Sequence, residues 1–215
     1  SIGGNVSSLN ESGPMPAGIT DPSLTSYRAR GQDIMVPGGF DQVEGPQFFG
    51  CEPPYLPLGS RSDVLVFQTD SLEQDLEVTG PITVTLWVSS TAVDTDFTGK
   101  LIDVYPPSKS YPHGYALNLT DSIMRLRYRK GPREPDFLAP GEVASVTITL
   151  YPTSNVFVAG HRIRLDISSS NFPRFDVNPN TGERLGLNRR QMAADNTVYL
   201  DAQHPSHIVL PIIRS

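Results

Sequence analysis

The sequence predicts an all-β fold, a β-sandwich or jelly roll built from short strands. Three observations lead to this prediction. Several short segments alternate between apolar and polar residues, and no long stretch has the 3.6-residue period of an amphipathic helix. The 215 residues also include 20 prolines and 18 glycines. Proline favours turns over helices, because it lacks an amide hydrogen and its ring clashes with the preceding helical turn.

The clearest alternation lies at residues 82–89, where Ile82, Val84, Leu86 and Val88 share one face. Successive side chains of a strand point to opposite sides of the sheet, so this pattern predicts a half-buried strand. The same reasoning predicts further strands at residues 64–69, 101–105, 124–129, 145–150, 162–167, 197–200 and 208–213. In the segment 124–129, three arginines are expected to point away from the core.

Residues 1–60 show neither the two-residue period of a strand nor the 3.6-residue period of a helix, and they are rich in glycine, proline, serine and asparagine. Because this stretch also carries Phe48 and Phe49, we interpret it as an irregular arm packed against a folded body. The predicted organisation is therefore a single domain over residues 1–215, with an arm at 1–60 and a sandwich body at 61–215.

Charge and composition exclude several classes of function. The chain has 17 basic and 23 acidic residues, a formal charge of −6, so we expect neither nucleic acid nor membrane as a partner. Its single cysteine, Cys51, cannot form an internal disulfide or a multi-cysteine zinc site. No apolar run has the length of a membrane span, and the first residues do not resemble a signal peptide. The compartment stays open, with the cytoplasm favoured.

No catalytic constellation stands out among the residues. The nucleophile-elbow pattern Gly-x-Ser-x-Gly does not occur, and His113, His161, His204 and His207 are the only histidines. We interpret His161, after Ala159–Gly160, as part of a turn. His204 and His207 with Asp201 could form a sparse metal site only if a turn at Pro205 brings them together, and a polar lead-in to the last strand is favoured.

Two charged groups have alternative interpretations. Asp94 and Asp96, with Asp103, have the oxygen ligands that calcium prefers, but a solvated role or a turn-forming role, in which each aspartate bonds to nearby backbone amides, is favoured. The second group is a basic stripe that consists of Arg125, Arg127, Arg129, Lys130 and Arg133. The basic stripe could bind phosphate or carboxylate groups, although a solvated face or a contact with an acidic surface is favoured. We expect no metal and no cofactor.

Trp87 lies on the strand face opposite the aliphatic row of residues 82–88. It either fills a second layer of core or anchors an interface, because tryptophan is enriched at such anchors.

One block of sequence carries a specific resemblance. Residues 160–176 read GHRIRLDISSSNFPRFD and are followed by NPNTG at residues 178–182. This block closely resembles the signature of the C-terminal domain of the X-Pro dipeptidyl-peptidase and CocE/NonD hydrolase family, which includes cocaine esterase, α-amino acid ester hydrolase and glutaryl acylase relatives. Motifs in the same order lie at residues 2–4, 61–65, 78–81, 92–97, 125–129, 140–142 and 205–211.

The resemblance implies a galactose-binding-like jelly roll that follows an α/β-hydrolase domain in one parent chain. In this family the catalytic serine, aspartate and histidine belong to the hydrolase domain, so the resemblance implies that this chain has no catalytic residue. It also implies that the jelly roll packs on the hydrolase domain and helps to shape its substrate pocket. Phe48, Phe49 and Trp87 are the candidate pocket or interdomain contacts.

Two alternatives stay open at this point. A carbohydrate-binding module would need exposed aromatic platforms, for which Trp87, Tyr111 and Tyr115 are the candidates. A domain that mediates homo-oligomers is the other alternative.

Overall fold

The computed structural model describes residues 24–29, as backbone only, together with residues 63–172 and 174–213. These residues form ten strands and one short 3-10 helix, Leu126–Tyr128. The strands are β1 (Leu24–Ala29), β2 (Leu65–Gln68), β3 (Leu76–Ser90), β4 (Asp96–Tyr105), β5 (Tyr115–Arg125), β6 (Ala144–Phe157), β7 (Arg162–Ser168), β8 (Ala194–Tyr199), β9 (His207–Val209) and β10 (Ile212–Ile213). Within these ranges no helix has the length and apolar character needed to cross a membrane.

The strands form two antiparallel sheets. In the first sheet the 15-residue strand β3 is central. Strand β6 pairs along one side of it, while β10, β9 and β8 pair in succession along the other side, and β1 pairs with β8. The second sheet has the order β2-β7-β4-β5. The predicted all-β sandwich is confirmed.

The core lies between the inner faces of the two sheets. The aliphatic row of β3 that the sequence predicts to be buried is buried, and it meets Ile148 of β6 and Phe97 and Leu101 of β4. Burying each such side chain contributes roughly 1.5–3 kcal/mol relative to leaving it exposed. The two-residue period of these strands therefore determines which face of each sheet forms the core.

The structure differs from the sequence-based prediction around residue 125. The predicted strand at residues 124–129 is wrong beyond Arg125, because β5 ends there and Leu126–Tyr128 form the 3-10 helix. The Leu126 amide still donates to the Thr95 carbonyl beside the last pair of the ladder, and the Arg129 amide donates to the Leu126 carbonyl, which closes the helical turn. Instead of pointing outward, Arg127 is buried.

Part of the N-terminal stretch that the sequence predicts to be irregular is a strand, since β1 pairs with β8 over six residues. Phe48, Phe49 and Cys51 lie outside the described residues.

Candidate functional site

A densely charged buried region joins the loop between β3 and β4 and the start of β4 to the end of β5. Arg125 makes two hydrogen bonds to the Asp96 carboxylate, Nε to Oδ1 at 2.9 Å and Nη2 to Oδ2 at 2.8 Å. Arg127 donates its backbone amide to Asp94 Oδ1 at 2.9 Å and its Nε to Asp94 Oδ2 at 2.7 Å. The Asn178 side-chain amide bridges both carboxylates at 2.8–2.9 Å. We call these five residues the Asp94 network.

The Asp94 network corrects two sequence-based interpretations. Asp94 and Asp96 are 0% and 1% exposed, so the favoured solvated role is wrong. Three arginines of the stripe are also not a solvated face, since Arg125 and Arg127 pair with these aspartates and Arg129 pairs with Asp136. Lys130 and Arg133 of the stripe are exposed. Buried carboxylates and guanidinium groups need paired partners, because taking an unpaired charge out of water is costly. The contact with Asp96 raises the pKa of Arg125.

The Asp94 network also fixes the loop that carries the sequence NPNTG. Asn178 Oδ1 accepts the Asn180 amide at 2.9 Å, and Arg127 Nη1 donates to the Glu183 carbonyl at 3.0 Å. Gly182 has a φ of +71°, and a Cβ there would lie 2.8 Å from a methyl group of Val93. The loop therefore needs glycine at this position for both its conformation and its close approach to Val93.

A second charged cluster lies on the outer face of the second sheet. Lys100 of β4 is 1% exposed, and its Nζ donates to Asn171 Oδ1 at 2.7 Å and to Asp121 at 3.4 Å. Asp121 also pairs with Arg174 at 2.9 Å and accepts a hydrogen bond from the Asn171 side-chain amide. Burial lowers the pKa of Lys100 to about 8, although the Asp121 carboxylate opposes the shift. Sequence reasoning missed this cluster, because its residues are distant along the chain.

Trp87 lies on the outer face of the first sheet and is half-buried. Its ring meets the His204 ring edge-on with centroids 5.3 Å apart, and Tyr199 lies 5.2 Å from the same histidine. The Ser206 hydroxyl accepts the Trp87 amide and donates to the Tyr199 carbonyl, which ties this segment to β3 and β8. Trp87, Tyr199 and His204 form what we call the Trp87 patch.

The histidines that the sequence suggests as metal ligands do not converge. His204 Nδ1 lies 3.0 Å from the Asp201 carboxylate, whereas His207 Nδ1 lies 2.8 Å from the Pro205 carbonyl. In residues 63–172 and 174–213 no group of three potential ligands could hold a metal ion. These contacts agree with the interpretation of the segment as a polar lead-in to the last strands.

His161 occupies the predicted turn, where its amide donates to the Val158 carbonyl. Its Nδ1 also lies 2.9 Å from the buried Asp103 carboxylate, and its ring packs 4.2 Å from the Tyr105 ring. Tyr111 and Tyr115 stack on each other with centroids 4.9 Å apart. Both tyrosines also meet the Tyr105 ring, with centroids 5.9 and 6.0 Å away, so they form one aromatic cluster rather than separate platforms, which does not favour the carbohydrate-binding alternative.

The described residues contain two Asp–His pairs, Asp103–His161 and Asp201–His204. In the part of the chain that the structure describes, no serine or threonine hydroxyl hydrogen-bonds to either imidazole. The Ser206 hydroxyl, the nearest in sequence to His204, is engaged by Trp87 and Tyr199. Within the described residues, therefore, neither pair has the hydroxyl partner that a serine nucleophile requires.

Comparison with known proteins gives a consistent result. Residues 19–209 match the family described as the X-Pro dipeptidyl-peptidase C-terminal non-catalytic domain. The chain is 46% identical over 160 residues to cocaine esterase of Rhodococcus sp. (strain MB1 Bresler), an alignment that covers 74% of this chain and 27% of that protein.

Solved structures agree with the sequence matches. An aminopeptidase from the marine sediment archaeon Thaumarchaeota archaeon superposes with a TM-score of 0.77 at 28% identity, covering 96% of this chain and 36% of that chain. An α-amino acid ester hydrolase superposes with a TM-score of 0.76 at 28% identity, covering 90% and 33%. The chain spans about a quarter of the length of the curated relatives it matches. It belongs to the family of X-Pro dipeptidyl-peptidase C-terminal non-catalytic domains, which occur in CocE/NonD-type hydrolases.

Proposed function

We propose that this chain is the C-terminal domain of a longer serine hydrolase and packs on an α/β-hydrolase domain of the same polypeptide. In that role it forms part of the wall of the substrate pocket, and the parent enzyme cleaves acyl esters, amides or X-Pro peptides. The observation that carries the proposal is the match of residues 19–209 to a domain described as non-catalytic. The parent reaction would be acyl transfer to a serine, with a histidine as the base.

The Trp87 patch supports the packing role. Aromatic residues with a polar group are enriched where two protein surfaces meet, because they bury a large area and still satisfy hydrogen bonds. Trp87 stands on the outer face of the central strand, and its neighbours across the sheet, Ser145 and Thr147, are short and exposed. A partner surface could therefore approach the indole closely. Phe48 and Phe49 are proposed as pocket-lining residues on the basis of the sequence alone.

The pocket role can be tested in the complete polypeptide with alanine at Phe48, at Phe49 and at Trp87. If Phe48 and Phe49 line the pocket, we expect kcat/KM to fall about tenfold, mainly through KM, because each removes apolar contact with the substrate. Trp87→Ala is expected to weaken domain packing and to make the two domains unfold in separate transitions. Steady-state kinetics and calorimetry measure these effects.

Tyr111→Ala is the matched control, because Tyr111 is an exposed aromatic residue at the opposite end of the sandwich from Trp87. We expect it to leave KM unchanged. Unchanged kinetics in both phenylalanine variants would refute the pocket role, and a single joint unfolding transition in Trp87→Ala would refute the docking role of Trp87.

A further inference from the structure

A second surface at the Trp87 end of the sandwich is exposed and apolar. All ten residues from 184 to 193 are exposed, and we call them the exposed loop. Leu187 is 64% exposed, Met192 is 46% exposed and Leu185 is 39% exposed, and the ring of Phe137, 43% exposed, lies beside the base of the loop at Gly182. A concentration of large apolar side chains in solvent is typical of an interaction surface.

The charge of the exposed loop is opposite to that of the chain. It contains Arg184, Arg189 and Arg190 and no acidic residue, whereas the whole chain has a formal charge of −6. Arg190 lies 3.7 Å from Glu183, just outside the loop, and is 66% exposed. A partner for this surface therefore needs an apolar area bordered by acidic groups.

The exposed loop is held in place at both ends, although it contains no helix or strand. Asn180 is buried, and its side-chain amide donates to the Met192 carbonyl at 2.9 Å, while the Met192 amide donates to the Pro179 carbonyl. Arg127 of the Asp94 network donates to the Glu183 carbonyl. The buried polar groups thus fix the base of the loop, and the apolar side chains project from it. A preorganised loop loses less entropy when a partner binds.

We infer that the exposed loop is a docking surface for an acidic and apolar patch on the remainder of the parent chain. This inference rests on the proposed function and assigns a specific surface to it. The relatives that this chain matches are about three times its length, so most of such a parent lies outside these residues. The loop leads into β8 at Ala194, whereas Trp87 pairs with Tyr199 at the other end of β8, so the exposed loop and the Trp87 patch lie toward the same end of the sandwich but are separated by the length of this strand.

Limited trypsin digestion of the complete native polypeptide tests this inference. Trypsin cleaves after exposed arginine and lysine residues, and cleavage of a native protein follows the population in which the site is accessible. We expect cleavage after Arg184, Arg189 and Arg190 to be at least about tenfold slower than cleavage after Lys109, an exposed site in the loop between β4 and β5. Mass spectrometry identifies each cut.

Two variants show what causes the protection. Leu187→Asp places a charge in the proposed interface and is expected to raise cleavage at Arg189 and Arg190 to the rate at Lys109. The matched control is Val158→Asp, which adds the same charge at an exposed apolar residue at the opposite end of the sandwich and should change nothing. Since Leu187 is already exposed, its replacement does not disturb the base of the loop.

Each alternative result has a clear consequence. Rapid cleavage at the three arginines, or protection that persists in Leu187→Asp, overturns the inference. Protection that disappears on dilution would mean that a second copy of the chain covers the exposed loop. Protection in the 215-residue chain alone would mean that another part of this chain covers it. Either result overturns the inference. The proposed function fails separately, if the complete polypeptide contains no reactive serine outside these residues.

Discussion

Asp94→Ala is expected to lower the free energy of unfolding by about 3–5 kcal/mol, because it leaves the buried Arg127 guanidinium without its carboxylate. Arg127 donates both its amide and its Nε to Asp94, and both side chains are at most 3% exposed. Asn178 would lose one of its two acceptors as well. The loss should therefore exceed that of a surface ion pair several-fold. Urea unfolding followed by circular dichroism measures it.

Asp70→Ala provides the comparison, since Asp70 is 82% exposed and lies 4.0 Å from Arg162. We expect a change within about 1 kcal/mol for this variant. The double variant Asp94→Ala/Arg127→Met should recover part of the loss, because the uncompensated charge is gone. Equal effects of Asp94→Ala and Asp70→Ala would contradict this account of the Asp94 network.

The second large effect is expected at Asp121. Its carboxylate pairs with Lys100 at 3.4 Å and with Arg174 at 2.9 Å, so one carboxylate serves two cations. Asp121→Asn keeps the shape but leaves both cations near a neutral amide. We therefore expect a loss of about 3–5 kcal/mol in the free energy of unfolding.

Lys100→Met is the informative partner of that variant. It removes a buried cation but leaves Asp121 paired with Arg174 and with the Asn171 amide. Its cost should be clearly smaller than that of Asp121→Asn, when both are measured by urea unfolding at pH 7. If Lys100→Met is the more destabilising of the two, Asp121 is not the residue on which the cluster depends.

The sequence predicted the core strands better than the charged clusters. The aliphatic row of β3 is visible as a two-residue period, and that period alone determines which side chains are buried. The contacts of Asp94 and Lys100 join segments 21 to 84 residues apart, which no local pattern reveals. The alternation at residues 124–129 predicts an outward-facing Arg127, because the sequence does not indicate that β5 ends at Arg125. The opposite charges of the segments at residues 94–96 and 125–129 are the one feature of the sequence that could have suggested ion pairs between them.

The sequence predicts some of the candidate interdomain contacts and misses others. The sequence placed Trp87 on the face opposite the core, and the structure surrounds it with His204 and Tyr199. It did not single out the exposed loop, because a run of mixed polar and apolar residues has no period. Phe48 and Phe49 stay predictions, since their role depends on a partner surface that no local pattern describes.

The central claim, that the reactive serine belongs to another domain of the parent chain, is tested most directly by covalent labelling. The complete polypeptide would be treated with a fluorophosphonate, which reacts with activated serine nucleophiles, and the labelled peptide would be identified by mass spectrometry. We predict one labelled serine, located before residue 1 of this sequence. A label on any serine within these 215 residues would contradict the claim.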